Sequence, residues 1–408
     1  MKYYDLYIAA LALLPLLTAG CQQEDGLPPH TGYSDEVITF NTPYWARSVL
    51  RDGDFEEGDK VGVIGYCKRG ENPSNPDADM GPYPWEAKRV FAQPDMFYNK
   101  ELTYAGNGTF TYEGYYDEDH QEVYTGICPW YNDRSYYYSF FAYYPYAELT
   151  NGNTGTIRDA GGNAMGTITL SGENAEGNPV ITYTMPRTGS ESTAQISKLD
   201  NVPDFMLAYV TNHRQQNGAV PLEFRHLFAA LQFEVNNYTP NDATIEYIKL
   251  EGSRFYKSIT VTGEQSGYDV GSDRYSGVFD VLDGQGSLLC PAGTIEATGG
   301  DGSTSGEITP KTTTITDRNG EPVTLMFITD DDDNSDNKGA IVDGSGFCRI
   351  SVKVTGRIEA PLEITENKTF NAGTRNIFSI NLVGNNLILQ LRATDRWEDD
   401  GDSEIVFE

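Results

Sequence analysis

Short runs of alternating apolar and polar residues recur along the chain, and Gly, Asn, Asp or Pro bounds nearly every run. Alternation with a period of two predicts strands with one buried face, and many short strands separated by turn residues are typical of β-sandwiches. The predicted strands cover residues 37–40, 60–67, 135–144, 166–170, 205–209, 245–250, 258–262, 277–282, 323–328, 348–354, 376–383, 386–391 and 404–407. The pattern therefore predicts an all-β fold.

The predicted strand at 136–144 is almost continuously aromatic. A strand without alternation is best buried on both faces, so we expect it at the centre of a sheet. The alternative, an exposed aromatic platform for a ligand, is less common than an aromatic core.

The run at 221–235 changes its parity part of the way along. Leu222 and Phe224 share one parity, whereas Phe233 and Val235 share the other. A single regular strand must slip by one residue between these pairs, which predicts a β-bulge around Leu227 and Phe228.

The polar stretch at 211–218 has the composition of a linker and predicts a domain boundary near residue 215. The chain then divides into an N-terminal β-sandwich domain, 36–215, and a C-terminal β-sandwich domain, 216–408. Near its end, Val383-Gly-Asn-Asn-Leu387 joins two predicted strands like a hairpin turn.

The N-terminus resembles a processing signal. Lys2 precedes an apolar run at 6–18, which is too short to span a bilayer, and the run ends in Leu-Thr-Ala-Gly-Cys21. Small residues before a single Cys resemble the lipobox of bacterial lipoproteins. We therefore expect a signal peptide at 1–20, a lipid on Cys21 that anchors the chain to the outer membrane, and a solvated tether at 21–35. The alternative is an ordinary signal peptide followed by an unrelated Cys.

Composition and charge exclude one class of partner. The chain has 60 Asp and Glu against 29 Lys and Arg, which gives a net charge of −31. A chain this acidic repels phosphate backbones, so we expect no nucleic-acid partner.

Candidate catalytic groups are few. The four His residues lie beside no nucleophile motif, and no Cys-x-x-Cys occurs, so we expect no enzyme, no cofactor and no metal site. In an exported chain Cys67 could pair with Cys128 and Cys290 with Cys348; the alternative is four buried thiols that pack as small apolar residues. The acidic loops at 330–336 and 398–402 suggest calcium sites, although solvated loops are the commoner explanation.

Five strings, taken together, resemble one family. They are the lipobox at Cys21, Val-Pro-Asp-Phe-Met-Leu-Ala at 202–208, Pro-Leu-Glu-Phe-Arg-His-Leu-Phe-Ala-Ala-Leu-Gln-Phe at 221–233, Phe-Asn-Ala-Gly-Thr-Arg-Asn-Ile-Phe-Ser-Ile-Asn-Leu at 370–382, and Ala-Thr-Asp-Arg-Trp-Glu-Asp-Asp-Gly-Asp at 393–402. They are similar to strings of the fimbrillin family, the lipoprotein precursors of type V pili. The resemblance implies two tandem transthyretin-like antiparallel β-sandwich domains in a structural subunit of a surface fimbrium that supports adhesion.

The family's assembly mechanism is implied along with the fold. An Arg-specific protease outside the cell removes an N-terminal strand, and a donor strand of another fimbrial subunit fills the exposed groove, in a homo- or heteropolymer. On this sequence the resemblance implies that the removed strand is Val37, Ile38, Thr39 and Phe40. It implies cleavage at Arg47 or Arg51, and a donor strand of Ile405, Val406 and Phe407. Each Arg is equally well an ordinary surface residue, and the last strand could pair within its own domain.

The rival hypothesis is a surface lipoprotein that binds a host glycan or protein. Exposed Trp45, Trp85, Trp130 or Trp397 would then stack on sugar rings. Trp85 and Trp130 lie in turn-rich sequence and are the ones we expect to be exposed.

Overall fold

The computed structural model describes residues 33–42, 47–48, 53–69, 96–116, 122–173, 179–186, 202–262, 268–271, 274–282, 286–295, 308–316, 322–328, 348–355, 360–364 and 372–396. Within these ranges the regular elements are β-strands and one 3₁₀ turn at Gln215–Asn217. The predicted all-β class is confirmed. No helix in the described part of the chain is long and apolar enough to cross a bilayer.

Sixteen strands precede the 3₁₀ turn. They are β1 (Tyr33–Val37), β2 (Phe40–Asn41), β3 (Arg47–Ser48), β4 (Gly53–Asp54), β5 (Lys60–Arg69), β6 (Phe97–Tyr104), β7 (Thr109–Thr111), β8 (Tyr115–Tyr116), β9 (Glu122–Val123), β10 (Pro129–Tyr131), β11 (Tyr136–Tyr144), β12 (Leu149–Asn151), β13 (Thr154–Arg158), β14 (Ala164–Glu173), β15 (Pro179–Thr184) and β16 (Met206–His213).

Sixteen more strands follow it. They are β17 (Val220–Pro221), β18 (Arg225–His226), β19 (Phe228–Asn237), β20 (Ala243–Tyr256), β21 (Ser258–Thr262), β22 (Tyr268–Val270), β23 (Arg274–Asp280), β24 (Leu288–Cys290), β25 (Thr294–Ile295), β26 (Ile308–Thr309), β27 (Lys311–Thr314), β28 (Leu325–Ile328), β29 (Cys348–Val354), β30 (Ala360–Ile364), β31 (Thr374–Val383) and β32 (Asn386–Arg396).

The first large sheet contains eight strands in the order β17-β2-β7-β6-β5-β11-β16-β18. Its end strands, β17 and β18, are joined by residues 222–224 alone. Four Cα–Cα steps span at most about 14 Å, whereas eight strands side by side in a flat sheet extend over about 34 Å. The sheet must therefore curl until its two ends lie close together, as in an almost closed barrel.

The central strands of this sheet are buried on both faces. Val63 of β5 and Phe140 of β11 belong to an inner core, which also contains Phe40 and Phe97, whereas their neighbours on the opposite face belong to a second, shared core. The strand β11 lies between β5 and β16. The prediction that the aromatic run forms a central, doubly buried strand is confirmed.

The second sheet packs one face into the shared core and carries hydroxyl groups on the other. Its order is β12-β13-β14-β15-β21-β22, and Ile168 and Tyr183 are among its core residues. On the outer face Thr182 and Thr260 form a cross-strand hydroxyl pair at 3.0 Å. This alternation matches the predicted strands at 166–170 and 258–262.

The remaining large sheets have five strands each. One has the order β27-β19-β31-β32 with β28 also paired to β19, and the other has the order β23-β20-β29-β30 with β24 also paired to β20. The pair β19 and β31 is parallel over eight residue pairs, from Ala230 with Arg375 to Asn237 with Leu382. All ten residues of β19 are buried.

Polar side chains of β19 are hydrogen-bonded to side chains of the neighbouring strands. The Asn236 side-chain amide donates to Asn381 Oδ1 at 2.9 Å, and Thr312 Oγ1 donates to Asn236 Oδ1 at 2.7 Å. Ser379 Oγ donates to the Glu234 carboxylate. Buried polar groups are thus paired across β27, β19 and β31.

The predicted bulge around Leu227 and Phe228 is wrong. The chain forms β18, which pairs with β16 in the curled sheet, and then β19, which pairs with β31 and β28 in another sheet. The change of parity marks a passage between two sheets, and Leu227 N–H there donates to Phe205 O. At this passage His226 Nδ1 and Asp204 Oδ1 lie 3.0 Å apart, and both residues are buried.

Strands from both sides of residue 215 share two sheets. After that residue, β17 and β18 join the curled sheet, and β21 joins β15. The domain limits 36–215 and 216–408 stay a prediction. The predicted hairpin is present, because Val383 pairs with Asn386 and Gly384 has a φ of 56°.

Candidate functional site: the seat of residues 33–42

Residues 33–42, the resident segment, start outside the curled sheet and then enter it as one of its strands. The segment was expected to contain one strand at 37–40, but it contains two short ones. The strand β1 pairs with β10 in a separate two-stranded sheet, whereas β2 lies between β7 and β17. We call the surface that receives it the seat, which is formed by β7, β10 and β17 with Phe97, Tyr112, Cys128 and Phe140.

The side chains of the segment alternate between solvent and the inner core. Val37 is 39% exposed and Thr39 is exposed, whereas Ile38 is 0% and Phe40 is 1% exposed. Two inward side chains, one aliphatic and one aromatic, therefore fill the seat.

Phe40 lies in a cage of aromatic rings. Its ring centroid is 5.2 Å from that of Phe140, 5.7 Å from that of Tyr112 and 5.9 Å from that of Phe97, all at steep interplanar angles. Edge-to-face rings at these distances contribute beyond the area they bury. The cage is shaped for a phenyl ring.

Tyr112 connects the segment to the loop before β10. Its hydroxyl donates to Ile38 O at 2.9 Å and accepts from Cys128 N–H at 3.2 Å. Ile38 N–H in turn donates to Cys128 O at 2.8 Å. Both backbone groups of Ile38 are thereby paired. Burial raises the pKa of Tyr112, so its hydroxyl stays protonated as a donor.

The other edge of the segment is paired with β17 and with the loop after it. Val220 N–H donates to Thr39 O at 2.8 Å, and Leu222 N–H donates to Asn41 O at 2.7 Å. The pairing of β2 with β17 is parallel, and its pairing with β7 is antiparallel. The segment therefore completes a sheet that would otherwise have two open edges at this point.

One polar atom of the segment is left unsatisfied. Asn41 Oδ1 is buried and accepts no hydrogen bond from the residues described. An unpaired buried acceptor costs about 1–3 kcal/mol. The resident segment therefore fits the seat well at Ile38 and Phe40 and poorly at Asn41.

Polar side chains hold the first strand of the segment. The Gln215 side-chain amide donates to Ser34 Oγ at 3.0 Å and to Glu36 Oε2 at 3.1 Å, and the Tyr33 ring stacks on Tyr131 at 5.2 Å. These contacts are exposed or half-buried, so they stabilise β1 less than the cage stabilises Phe40.

The three cysteines whose side chains the structure describes, Cys67, Cys128 and Cys290, are buried thiols and not halves of disulfides, as the packing alternative predicted. The side chain of Cys348 lies outside the described ones. Burial raises the pKa of Cys128, and it raises that of Cys290 to about 11. The Cys128 backbone accepts from Ile38 N–H, and both residues belong to the inner core, so we expect loss of the segment to expose this thiol.

The other predicted site residues are only partly described. Arg47 lies in β3, which pairs with β4 just after the resident segment. Cys21, Arg51, Ile405, Val406 and Phe407 lie outside the described residues, as do both acidic loops and Trp45, Trp85 and Trp397. Within the described ranges, no three His, Cys, Asp or Glu side chains form a metal-binding cluster.

Trp130 was expected to be exposed, and it is buried. Its exposed fraction is 2%, and its ring packs 4.7 Å from Tyr138 and 5.9 Å from the His213 ring. The turn-rich sequence around it supplies β10, which pairs with β1 and places Trp130 in the inner core. Trp130 therefore provides no platform for a sugar.

The chain is similar to one protein family and to several solved structures. A family model described as fimbrillin-like matches residues 46–395. Among solved structures, a fimbrial protein from Bacteroides vulgatus matches with a TM-score of 0.52 and 16% identity over 89% of this chain and 100% of its own. The tip fimbrial protein Mfa3 from Porphyromonas gingivalis matches with a TM-score of 0.31 and 8% identity over 88% of this chain and 98% of its own. A search of curated proteins found no match.

Proposed function

Because the chain belongs to the fimbrillin-like family, we propose that it is a structural subunit of a surface fimbria whose seat exchanges one strand for another during assembly. The resident segment leaves after proteolysis at Arg47 or Arg51, and a donor strand from another subunit takes its place. Adhesion is the role of the assembled fimbria.

The observation that carries this proposal is the way the segment is held. Ile38 and Phe40 are fully buried in the inner core, yet β2 is two residues long and is hydrogen-bonded on both edges. Removal of such an element uncovers an apolar groove between two unpaired edges, which is a template for strand addition.

Export as a lipoprotein accounts for delivery to the surface. We propose that Cys21 carries the lipid and holds the precursor in the outer membrane until cleavage separates the tether from the folded chain. Replacing Cys21 by Ala should then leave an unlipidated precursor that is absent from the outer membrane. Normal surface display of that variant would refute the lipid anchor.

The N-terminus of the surface form tests the exchange mechanism. Mass spectrometry of sheared fimbriae should find chains that start at Ser48 or Asp52, and electrophoresis should show a ladder of SDS-resistant oligomers. The double variant Arg47→Ala, Arg51→Ala should abolish both starts and the ladder. The single variants identify which arginine is cut. Ladders built from chains that still begin at lipidated Cys21 would contradict the proposal.

A further inference from the structure

The strand β32 lies at the edge of its sheet. Among the described residues it pairs with β31 and with no other strand, and it is eleven residues long. Proteins usually protect an edge of this length with charged residues, proline or a bulge. Residues 386–391 of β32 contain no charged residue and no proline, and they pair with β31 without a bulge. This part of the edge is therefore suited to pairing with a further strand.

A row of side-chain hydrogen bonds crosses the sheet and ends at the same edge. Thr312 Oγ1 donates to Asn236 Oδ1 at 2.7 Å, and the Asn236 amide donates to Asn381 Oδ1 at 2.9 Å. The Asn381 amide then donates to Gln390 Oε1 at 3.0 Å. The row thus passes through β27, β19, β31 and β32, and all three hydrogen bonds point towards the edge.

Gln390 ends this row with hydrogen-bonding capacity to spare. It is exposed, and its side-chain amide nitrogen donates to none of the described residues. An amide nitrogen can donate twice, and an amide oxygen can accept twice. Gln390 can therefore donate to one more amide beyond the edge and accept from it as well. Hydrogen bonds in a row polarise one another, which strengthens the next bond in the same direction.

A second copy of the chain supplies such an amide in its own Gln390. We infer that β32 pairs antiparallel with β32 of a second copy about a twofold axis, with Gln390 opposite Gln390. Each Gln390 amide nitrogen then donates to the amide oxygen of the other, and the two sheets join into one continuous sheet. The inference concerns β32 alone and does not depend on the exchange of strands at the seat.

The apolar residues beside Gln390 favour the same pairing. Ile388 is 46% exposed, and Leu387 and Leu389 are half-buried against the shared core. In an antiparallel pair centred on residue 390, Leu389 lies opposite residue 391 of the other copy and Ile388 lies opposite residue 392. The second strand therefore covers apolar surface that the single chain leaves in contact with water.

Charge favours this edge over other surfaces for contact between two copies. Each chain has a net charge of −31, so two copies repel each other in most orientations. Residues 376–391 contain no charged side chain. The proposed register sets Arg392 opposite Ile388 and Asp395 opposite Asn385, so no like charges meet. A register centred on residue 392 would instead set Arg392 opposite Arg392, which is unfavourable.

Sedimentation velocity of the full chain tests for the dimer. Cys21→Ala keeps the chain unlipidated, and Arg47→Ala with Arg51→Ala keeps it uncut, so that the seat stays closed. We expect a concentration-dependent dimer whose affinity rises with salt, because salt screens the repulsion between two acidic chains. A monomer at every concentration and salt level would overturn the inference, including the case in which residues 397–408 of the same chain cover the edge.

Gln390→Glu in this parent chain tests the contact at the twofold axis. The variant keeps an oxygen that can accept from Asn381, but it sets two carboxylates opposite each other. It should weaken the dimer about a hundredfold or more and leave the unfolding curve of the monomer nearly unchanged. Asn217→Asp adds the same charge in the exposed 3₁₀ turn and should dimerise within about threefold of the parent chain. Equal dimerisation of the two variants would overturn the inference.

Cysteine cross-linking tests the register. Gln390→Cys sets two thiols opposite each other, within reach of a disulfide. Ile388→Cys sets them four residues apart along the strands, about 13 Å, which is beyond that reach. Mild oxidation should therefore link the Gln390→Cys chains and leave the Ile388→Cys chains at the level of the parent chain, which reports the background from the native cysteines. Links through Ile388→Cys in place of Gln390→Cys would overturn the register.

Discussion

The resident segment and the strand β31 both complete a β-sheet, but they are held in different ways. The strand β31 has eight pairs with β19 and ten with β32, and three of its polar side chains are hydrogen-bonded to β19, namely those of Asn376, Ser379 and Asn381. The resident segment has two pairs on each edge of β2, and two inward side chains, Ile38 and Phe40, provide its fully buried apolar contacts. A strand held by long ladders leaves only when the domain unfolds, whereas a strand held by two side chains can be replaced by another that carries the same two.

The largest expected effect is on the sheet that contains β19 and β31. Phe233 of β19 is 1% exposed and its ring lies 5.8 Å from that of Phe378. Phe233→Ala should lower the free energy of unfolding by about 3–5 kcal/mol, because the cavity lies in the shared core. Denaturant unfolding followed by circular dichroism should show one cooperative transition at a lower midpoint. An unchanged midpoint would show that the shared core does not limit stability.

Phe40→Ala should cost a comparable free energy but should act locally. The loss of the ring from its cage should open the seat and raise the rate of Cys128 alkylation about a hundredfold or more, while the main unfolding transition moves less than in Phe233→Ala. Thr39→Ala, at an exposed position, is the control and should label like wild type. Equal shifts of the main unfolding transition in Phe40→Ala and Phe233→Ala would show that the resident segment and the sheet of β31 do not differ in how they are held.

Removing the Tyr112 hydroxyl should lower the free energy that holds the resident segment in the seat by about 1–3 kcal/mol. The reason is that Ile38 O and Cys128 N–H both lose this partner while the ring stays in the cage. Tyr112→Phe should therefore speed amide hydrogen exchange within residues 33–42 and leave exchange in β31 unchanged. Faster exchange in both regions would show that the seat is not an independent unit.

Asn41 and Asn381 form a matched pair for a smaller effect. Asn41→Leu removes an unsatisfied acceptor and should stabilise the resident segment by about 1 kcal/mol, which slows its release after cleavage. Asn381→Leu removes a buried amide that accepts from Asn236 and donates to Gln390, so the substitution should destabilise the sheet that contains β31. The thermal midpoints of the two variants should move in opposite directions. Movement in the same direction would contradict the assignment of Asn41 Oδ1 as an unsatisfied acceptor.

The smallest effect concerns pH. Burial lowers the pKa of His213 from 6.5, with the hydrogen bond to Gly218 O partly opposing, and the residue stacks on Trp130 of the inner core. Below pH 6.5 the unfolded chain binds a proton that the folded chain resists, so this residue makes stability fall as the pH drops from 6.5. In the His213→Gln variant the thermal unfolding midpoint should change less with pH between pH 7 and 5.5 than in the wild type. An unaltered pH profile would remove His213 as a source of the dependence.

Much of the fold follows from alternation in the sequence. The runs at 166–170 and 258–262 became strands with alternate residues buried, since period two leaves one register that buries the apolar side. The runs at 60–67 and 376–383 also became strands, but most of their residues are buried on both faces. The aromatic run at 136–144 could be placed centrally because it has no polar face. The change of parity between β18 and β19 cannot by itself distinguish a bulge from a passage between sheets, because it looks the same whether one strand bends or two strands enter different sheets.

The seat could be located only in part. Residues 37–40 were found because the resemblance pointed to an early strand, but no local signal marks Tyr112, Cys128 or Val220 as its partners. Those residues lie 74 or more positions away from Ile38 along the chain, and the curl of the sheet brings them together. The burial of Trp130 has a similar origin, because its ring packs on His213 of β16, which is distant in the sequence.

Bonding on both edges of β2 has a mechanical consequence. A strand pulled along its own axis between two neighbours is loaded in shear, so the bonds to β7 and β17 must rupture together and cannot unzip one at a time. Forced rupture is governed by the height of the unfolding barrier, and a shear geometry raises that barrier for a given number of bonds. Whatever strand occupies this place therefore resists tension along its own axis more strongly than a force that peels it away from one edge.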